Sequence, residues 1–229
     1  VHSFRLDHEH KTRPAAGTHR STADSQVMLD VDTPHGAARV HVSRADEERA
    51  WLVLGHGAGG GVTSRDLVAA AEAALAQGVS VALVEQPYRV AGRRSPSPAH
   101  MLDTAWIAVL DRIRSDVAGD VALVVGGRSS GARVACRTSE VTGAAGVLCL
   151  AFPLVPPRRK AGPSPTTRLP ELDAVRVPTL VVQGERDPFG MPPGSTLRQV
   201  VTVSGDHSLR SDLPAVAAAV RDWLLRLVG

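Results

Sequence analysis

Aromatic residues are scarce in this chain: three Trp, three Phe and one Tyr make up 3% of its 229 residues. A core must therefore be built from Val, Leu and Ala, and there is little aromatic surface on which bases could stack. Charge of one sign is nowhere concentrated. The chain carries 26 basic and 23 acidic residues, a net charge of +3, with the arginines spread along it. No run of like charges forms a polybasic arm, so nucleic-acid binding is not expected. Only two cysteines occur, Cys136 and Cys149, both in apolar stretches. They read as small core residues of a protein kept in a reducing compartment, not as a disulfide framework. No stretch of about 18 apolar residues exists, which excludes a membrane-spanning helix. No apolar segment of the signal-peptide kind is visible at the N-terminus. The expectation is a cytoplasmic protein without a membrane partner.

What is present is a chain that is 43% hydrophobic, enough for one sizeable domain. Residues 1–25 are polar and aperiodic and are expected to form a mobile tail. They hold four of the nine histidines, including the string His8-Glu9-His10, but a flexible tail cannot fix ligand geometry, so no metal site is expected. Residues 26–229 read as a single α/β domain. Two alternating runs around Pro34-His35-Gly36 make an antiparallel hairpin. Six continuous apolar runs follow, for example "AWLVLG" (Ala50 to Gly55) and "PTLVVQG" (Pro178 to Gly184). They alternate with helical segments: one capped by Thr63 or Ser64 and ended at Gly78, one from about Ala99 to Ser115, one from about Ser130 to Glu140, and a closing helix. Continuous apolar strands alternating with helices describe a mostly parallel eight-stranded sheet with helices on both faces. Residues 86–99 and 153–177, rich in Pro and Arg, are expected to be loops, and no cap domain is expected.

The chemistry concentrates on "VALVVGGRSSGARVACR", Val121 to Arg137. Gly127-Arg128-Ser129-Ser130-Gly131 satisfies G-x-S-x-G between an expected strand and an expected helix, the context that gives this motif meaning. A serine raised above a sheet edge on so tight a turn needs neighbours without side chains two residues to either side. Serine is a weak nucleophile at neutral pH and needs a base, which in turn needs an orienting acid. In this topology the acid follows a late strand and the base follows the last one. Asp187 in "VVQGERDPFG" and His207 in "VVTVSGDHSL" occupy those places; Glu185 is the alternative acid. The oxyanion hole calls for backbone N–H groups. Ser130, directly after the nucleophile, offers one; Ala58, with Gly59 next, offers the other from the loop "HGAGGG". That loop lacks both the GK[ST] ending of a phosphate loop and a dinucleotide fingerprint, so no cofactor is expected. His56 reads as a residue that packs the loop.

The strings "LGHGAGGG", "QPYRVAGRR", "GGRSSGARVACR", "LAFPL", "VVQGERDPFG" and "GDHSL" resemble the α/β-hydrolase superfamily. Within it they look most like a subfamily of small proteins, related to dienelactone hydrolases, that includes a testis-expressed protein and a subunit of a nuclear histone-acetyltransferase complex. The resemblance covers nearly all of residues 26–229 and implies the same three catalytic positions, Ser129, Asp187 and His207. It implies a serine hydrolase acting on a small-molecule carboxylic ester through an acyl-enzyme. Thioesterase, dienelactone hydrolase and acyltransferase use the same parts, and a non-catalytic binding or complex-forming protein is the second reading. One departure stands out. Residues 190–197, "GMPPGSTL", are too short and too rich in Pro and Gly for the helix usual between the last two strands, so Asp187 is expected on a more mobile loop. Arg128, beside the nucleophile, and Arg93 and Arg94, on the loop after the fourth strand, are the candidates to bind an anionic group of the substrate.

Overall fold

The computed structural model describes residues 27–156 and 166–229. The expected mobile tail, its histidines and the middle of the 153–177 loop lie outside the described residues. The strands are β1 (Val27–Thr33), β2 (Gly36–Ser43), β3 (Ala50–Gly55), β4 (Val79–Glu85), β5 (Ala122–Arg128), β6 (Gly146–Leu150), β7 (Thr179–Gly184) and β8 (Arg198–Val203). They form one sheet in the order β1-β2-β4-β3-β5-β6-β7-β8. The pairs β1–β2 and β2–β4 are antiparallel and all the others are parallel. This is the mostly parallel eight-stranded sheet read from the sequence.

The sheet is buried on both faces because its central strands are apolar at nearly every position. Along β3, Trp51 and Val53 point into one layer and Leu52 and Leu54 into the other, as the two-residue period of a strand requires. The first layer is closed by α3 (Ala99–Ile113), through Leu102, Trp106 and Val109, and by α4 (Ser130–Thr138), through Ala132 and Ala135. The second is closed by α1 (Arg65–Leu75) and α6 (Leu213–Val228), through Leu67, Ala70, Val216, Val220 and Trp223. Each large apolar side chain so buried stabilises the fold by roughly 1.5–3 kcal/mol. Cys136 on α4 and Cys149 on β6 are free thiols within the first layer, their sulfurs 3.5 Å apart.

Two stretches read as loops contain helix. Residues Pro87–Val90 form the short α2. Pro87 sits at its first position, where a fixed φ favours a helical turn and the missing N–H costs nothing. Residues Leu169–Asp173 form α5, tied to α4 by Arg133 and Arg137 on Glu171. Helix α3 ends in a single π-helical turn, Arg114–Ala118. Ser64 occupies the N-cap position of α1, but its hydroxyl donates to Gly61 O instead of capping. Among the described residues the β6–β7 connection holds no element except α5, and no cap domain covers the sheet's C-terminal edge.

Candidate active site

The turn that carries Ser129 is made by the sheet. Strand β5 leaves the sheet through Gly127, and Ser129 takes φ 52°, ψ −105° before α4 begins at Ser130. A non-glycine residue in this region stores about 1–3 kcal/mol of strain. The conformation is held because Ser129 N–H donates to Leu150 O on β6, at 2.9 Å, and Ser129 O accepts from Arg133 N–H at 3.2 Å. Glycine at 131 is a steric need: a Cβ there would press on the carbonyl of Gly55 and come within 2.9 Å of His56 O.

Ser129 Oγ lies 3.0 Å from His207 Nε2, and His207 Nδ1 lies 2.8 Å from Asp187 Oδ2. The three residues named from sequence thus meet in one chain of hydrogen bonds. A carboxylate only accepts, so Nδ1 carries the ring proton and Nε2 is left to accept from the serine hydroxyl. Asp187 is buried, while Ser129 and His207 are half-buried. Glu185, the alternative acid, is exposed and accepts from Arg186.

The β7–β8 connection does lack a helix, yet Asp187 is not loosely held. Its Oδ1 accepts from Phe189 N–H at 2.9 Å, and its Oδ2 accepts a second bond, from Gln183 Nε2 at 2.8 Å. Gln183 is fully buried in β7, and the same Nε2 lies 3.0 Å from Phe152 O and 2.9 Å from Gly190 O, so its two N–H groups are shared among three acceptors. The ring of Phe189 lies against that of His207, centroids 4.4 Å apart. Neither Gln183 nor Phe189 was singled out from sequence. A glutamine in an otherwise apolar buried strand was the available signal, since a buried amide needs partners.

The loop after β3 is held by its own histidine. His56 Nδ1 is 2.8 Å from Gly57 O and its Nε2 accepts from Gln86 N–H at 3.2 Å. Burial pulls the His56 pKa below its ordinary value, and these two contacts suit the neutral ring with its proton on Nδ1. Tyr88 of α2 donates its hydroxyl to Ala58 O at 3.0 Å. Among the described residues no protein acceptor takes the N–H of Ala58 or Gly59. Ser130 opens α4, where first-turn N–H groups have no acceptor within the helix.

Of the three arginines expected to meet substrate, the structure corrects one. The Arg128 side chain is only 18% exposed, and its Nε lies 2.8 Å from Asp66 Oδ2. Its Nη2 donates to His207 O at 2.9 Å. Two of the guanidinium's three nitrogens are thus turned to partners within the protein. Sequence adjacency to the nucleophile had fixed where its Cα lies but not where a long side chain ends. Arg93 and Arg94 are exposed and line a cavity with Ser95, Pro96, Ser97, Pro98 and Met101.

A serine on a strained turn after the fifth strand of a sheet in this order defines an α/β hydrolase. The chain belongs to the alpha/beta hydrolase domain family, which it matches over residues 48–213. A search of curated proteins finds no match. Solved structures share the fold at low identity. A lidless α/β serine hydrolase from Xanthomonas campestris superposes with a TM-score of 0.72 at 18% identity, over 90% of this chain and 96% of that one. Est1E from Butyrivibrio proteoclasticus gives 0.71 at 16%, over 89% and 99%. A dienelactone hydrolase from Anabaena variabilis gives 0.70 at 14%, over 90% and 99%. Among the described residues no helix is long and apolar enough to cross a membrane.

Proposed function

We propose that the protein is a serine hydrolase of carboxylic esters that works through an acyl-enzyme on Ser129. One observation carries this reading: the unbroken line from Ser129 Oγ through His207 to Asp187, at 3.0 and 2.8 Å. In this mechanism His207 Nε2 takes the proton of Ser129 as Oγ attacks the ester carbonyl. Asp187 accepts from Nδ1–H throughout and stabilises the imidazolium that forms. The N–H groups of Ser130 and of Ala58 (or Gly59) receive the developing oxyanion, each donor contributing about 3–4 kcal/mol to the barrier reduction. His207 then gives its proton to the leaving alkoxide. In the second half it deprotonates water, which attacks the acyl carbonyl and releases the acid and Ser129.

The site lies at the sheet's C-terminal edge with no cap above it among the described residues, which suits small or extended acyl groups. Arg93 and Arg94 are the groups we assign to an anionic end of the substrate, because guanidinium pairs well with carboxylate. The same machinery would serve thioester, lactone or acyl-transfer chemistry. A fluorophosphonate probe tests the core reading: it should label the wild type once per chain and leave Ser129→Ala unlabelled. A panel of p-nitrophenyl esters and acyl thioesters then ranks the substrates. A folded wild type inert to the probe would overturn the hydrolase reading in favour of a binding role. Unchanged relative rates on charged and neutral esters in R93A and R94A would remove the arginines from it.

A further inference from the structure

We propose that Arg128 is a positioning residue for His207, with the buried carboxylate of Asp66 holding its charge in place; this rests on the hydrolase reading above. Two of the three arms of the guanidinium are engaged on separate pieces of the site. Nε faces Asp66, in the first turn of α1, and Nη2 donates to the main-chain carbonyl of His207. The third arm, Nη1, passes beneath the oxyanion loop, where a Cβ on Gly57 would come within 2.8 Å of it. One side chain, rooted next to the nucleophile, therefore touches the base loop, the oxyanion loop and α1.

His207 depends on this contact. It sits on the link between β8 and α6, outside the sheet. Leu209, fully buried, anchors the link on one side, and Asp206 accepts from Ser208 N–H and Oγ. Among the described residues the carbonyl of His207 itself has one donor, Arg128 Nη2. Asp66 is 1% exposed and its Oδ1 accepts from Leu67 N–H. Its Oδ2 lies 2.8 Å from Arg128 Nε. Burial pushes the Asp66 carboxyl up, and the Arg128 charge opposes that. A buried ion pair gains little over an apolar pair of the same size, so stability alone does not account for one placed against the nucleophile. What it adds is a fixed, forked donor at a chosen point.

The test compares wild type, Arg128→Met, Arg128→Lys and Asp66→Asn as full chains. Three quantities are read: the thermal midpoint, the rate of labelling by a fluorophosphonate, and the downfield proton resonance of the imidazole N–H shared with Asp187, which Asp187→Asn should abolish as a control. Lysine can satisfy Asp66 as a point charge but cannot reach His207 O at the same time. R128K is therefore expected to keep the wild-type melting behaviour while labelling about 100-fold more slowly, the cost of misplacing a catalytic group by about 1 Å. Its downfield resonance should broaden or vanish. R128M should show the same kinetic loss with lower stability, and D66N a smaller one. If R128K labels at the wild-type rate with the resonance intact, the proposal is overturned, whether or not R128M folds. If the wild type itself is inert to the probe, the hydrolase reading fails and the resonance alone decides: its loss in R128K supports positioning, its persistence overturns it.

Discussion

Gln183 offers a test of the acid's surroundings through a change of one heavy atom. Its Nε2 lies 2.8 Å from Asp187 Oδ2, 3.0 Å from Phe152 O and 2.9 Å from Gly190 O, and the residue is fully buried. Gln183→Glu keeps the shape and makes the amide a carboxyl. Protonated, that group can still donate one bond to Asp187. Ionised, it would face a carboxylate and two carbonyl oxygens at a fully buried position. Both the like charge and the burial push its pKa up. A rise of about three units corresponds to about 4 kcal/mol. The sign follows from which state holds the proton. Between the unfolded value near 4.3 and the raised folded value, the folded chain binds more protons, so stability is lost as pH rises. For a chain of this size each kcal/mol moves the thermal midpoint by roughly 2–4 °C. The Q183E midpoint should therefore approach that of the wild type near about pH 5 and fall about 10 °C below it by about pH 8. Gln183→Leu removes the donor without adding a charge. It should lose about 2 kcal/mol at every pH in that range, because a buried acceptor is left short of a partner. Thermal melts of the three proteins across the range decide it. Parallel curves for Q183E and wild type would refute the placement of residue 183 against the Asp187 carboxylate.

Gly131→Ala should destabilise the fold by about 3 kcal/mol, because the added methyl meets the backbone of Gly55 and His56, which cannot swing aside; a wild-type thermal midpoint would contradict that packing. Asp187→Asn should lower the turnover of whichever ester proves active by roughly 10⁴-fold through loss of the Nδ1–H tautomer, as in triads of this kind, with folding and substrate binding little changed in melts and KM. His56 is held neutral by burial, with its pKa below the ordinary value of about 6.5. The unfolded chain takes up a proton that the folded one refuses, so stability is lost as pH falls below that ordinary value. His56→Gln should flatten the thermal midpoint's dependence on pH just below that value, and an unchanged slope would remove His56 from that role.

What the sequence disclosed and what it hid divide along a physical line. Strands such as β3 and β6 were legible because burial on both faces demands a nearly continuous apolar run. The nucleophile turn was legible because the close approach of α4 to β3 leaves room only for hydrogen at Gly127 and Gly131. Asp187 and His207 followed from where strands end, a matter of chain order. The helical turn at Pro87–Val90 was missed because prolines on either side of "YRVAGRRS" read equally well as loop. Asp66 and Gln183 were missed for a different reason. Asp66 pairs with Arg128, 62 positions away, which leaves no spacing to read; Gln183 lies four residues before Asp187, but only the folded strand end shows that the two side chains meet. Arg128 was found but assigned the wrong reach, since four rotatable bonds separate its Cα from its charge.

This division bears on how the site keeps its geometry. Ser129 belongs to the sheet: its amide is bonded to β6 and its carbonyl to α4, and strain of about 1–3 kcal/mol is locked in by that framework. Asp187 is fixed just beyond β7 by Gln183 and Phe189 N–H. His207 lies on neither framework, and two of its contacts run to groups that it must also serve chemically, Ser129 Oγ and Asp187 Oδ2. On the proposed mechanism those bonds would change in character during each turnover as the proton moves. A base held by them alone would drift when they weaken; the Arg128 bond runs to its main chain, which takes no part in the proposed proton transfer. Loss of the acid and loss of this anchor should therefore fail differently: the first changes the tautomer of a well-placed ring, the second leaves the right tautomer in the wrong place.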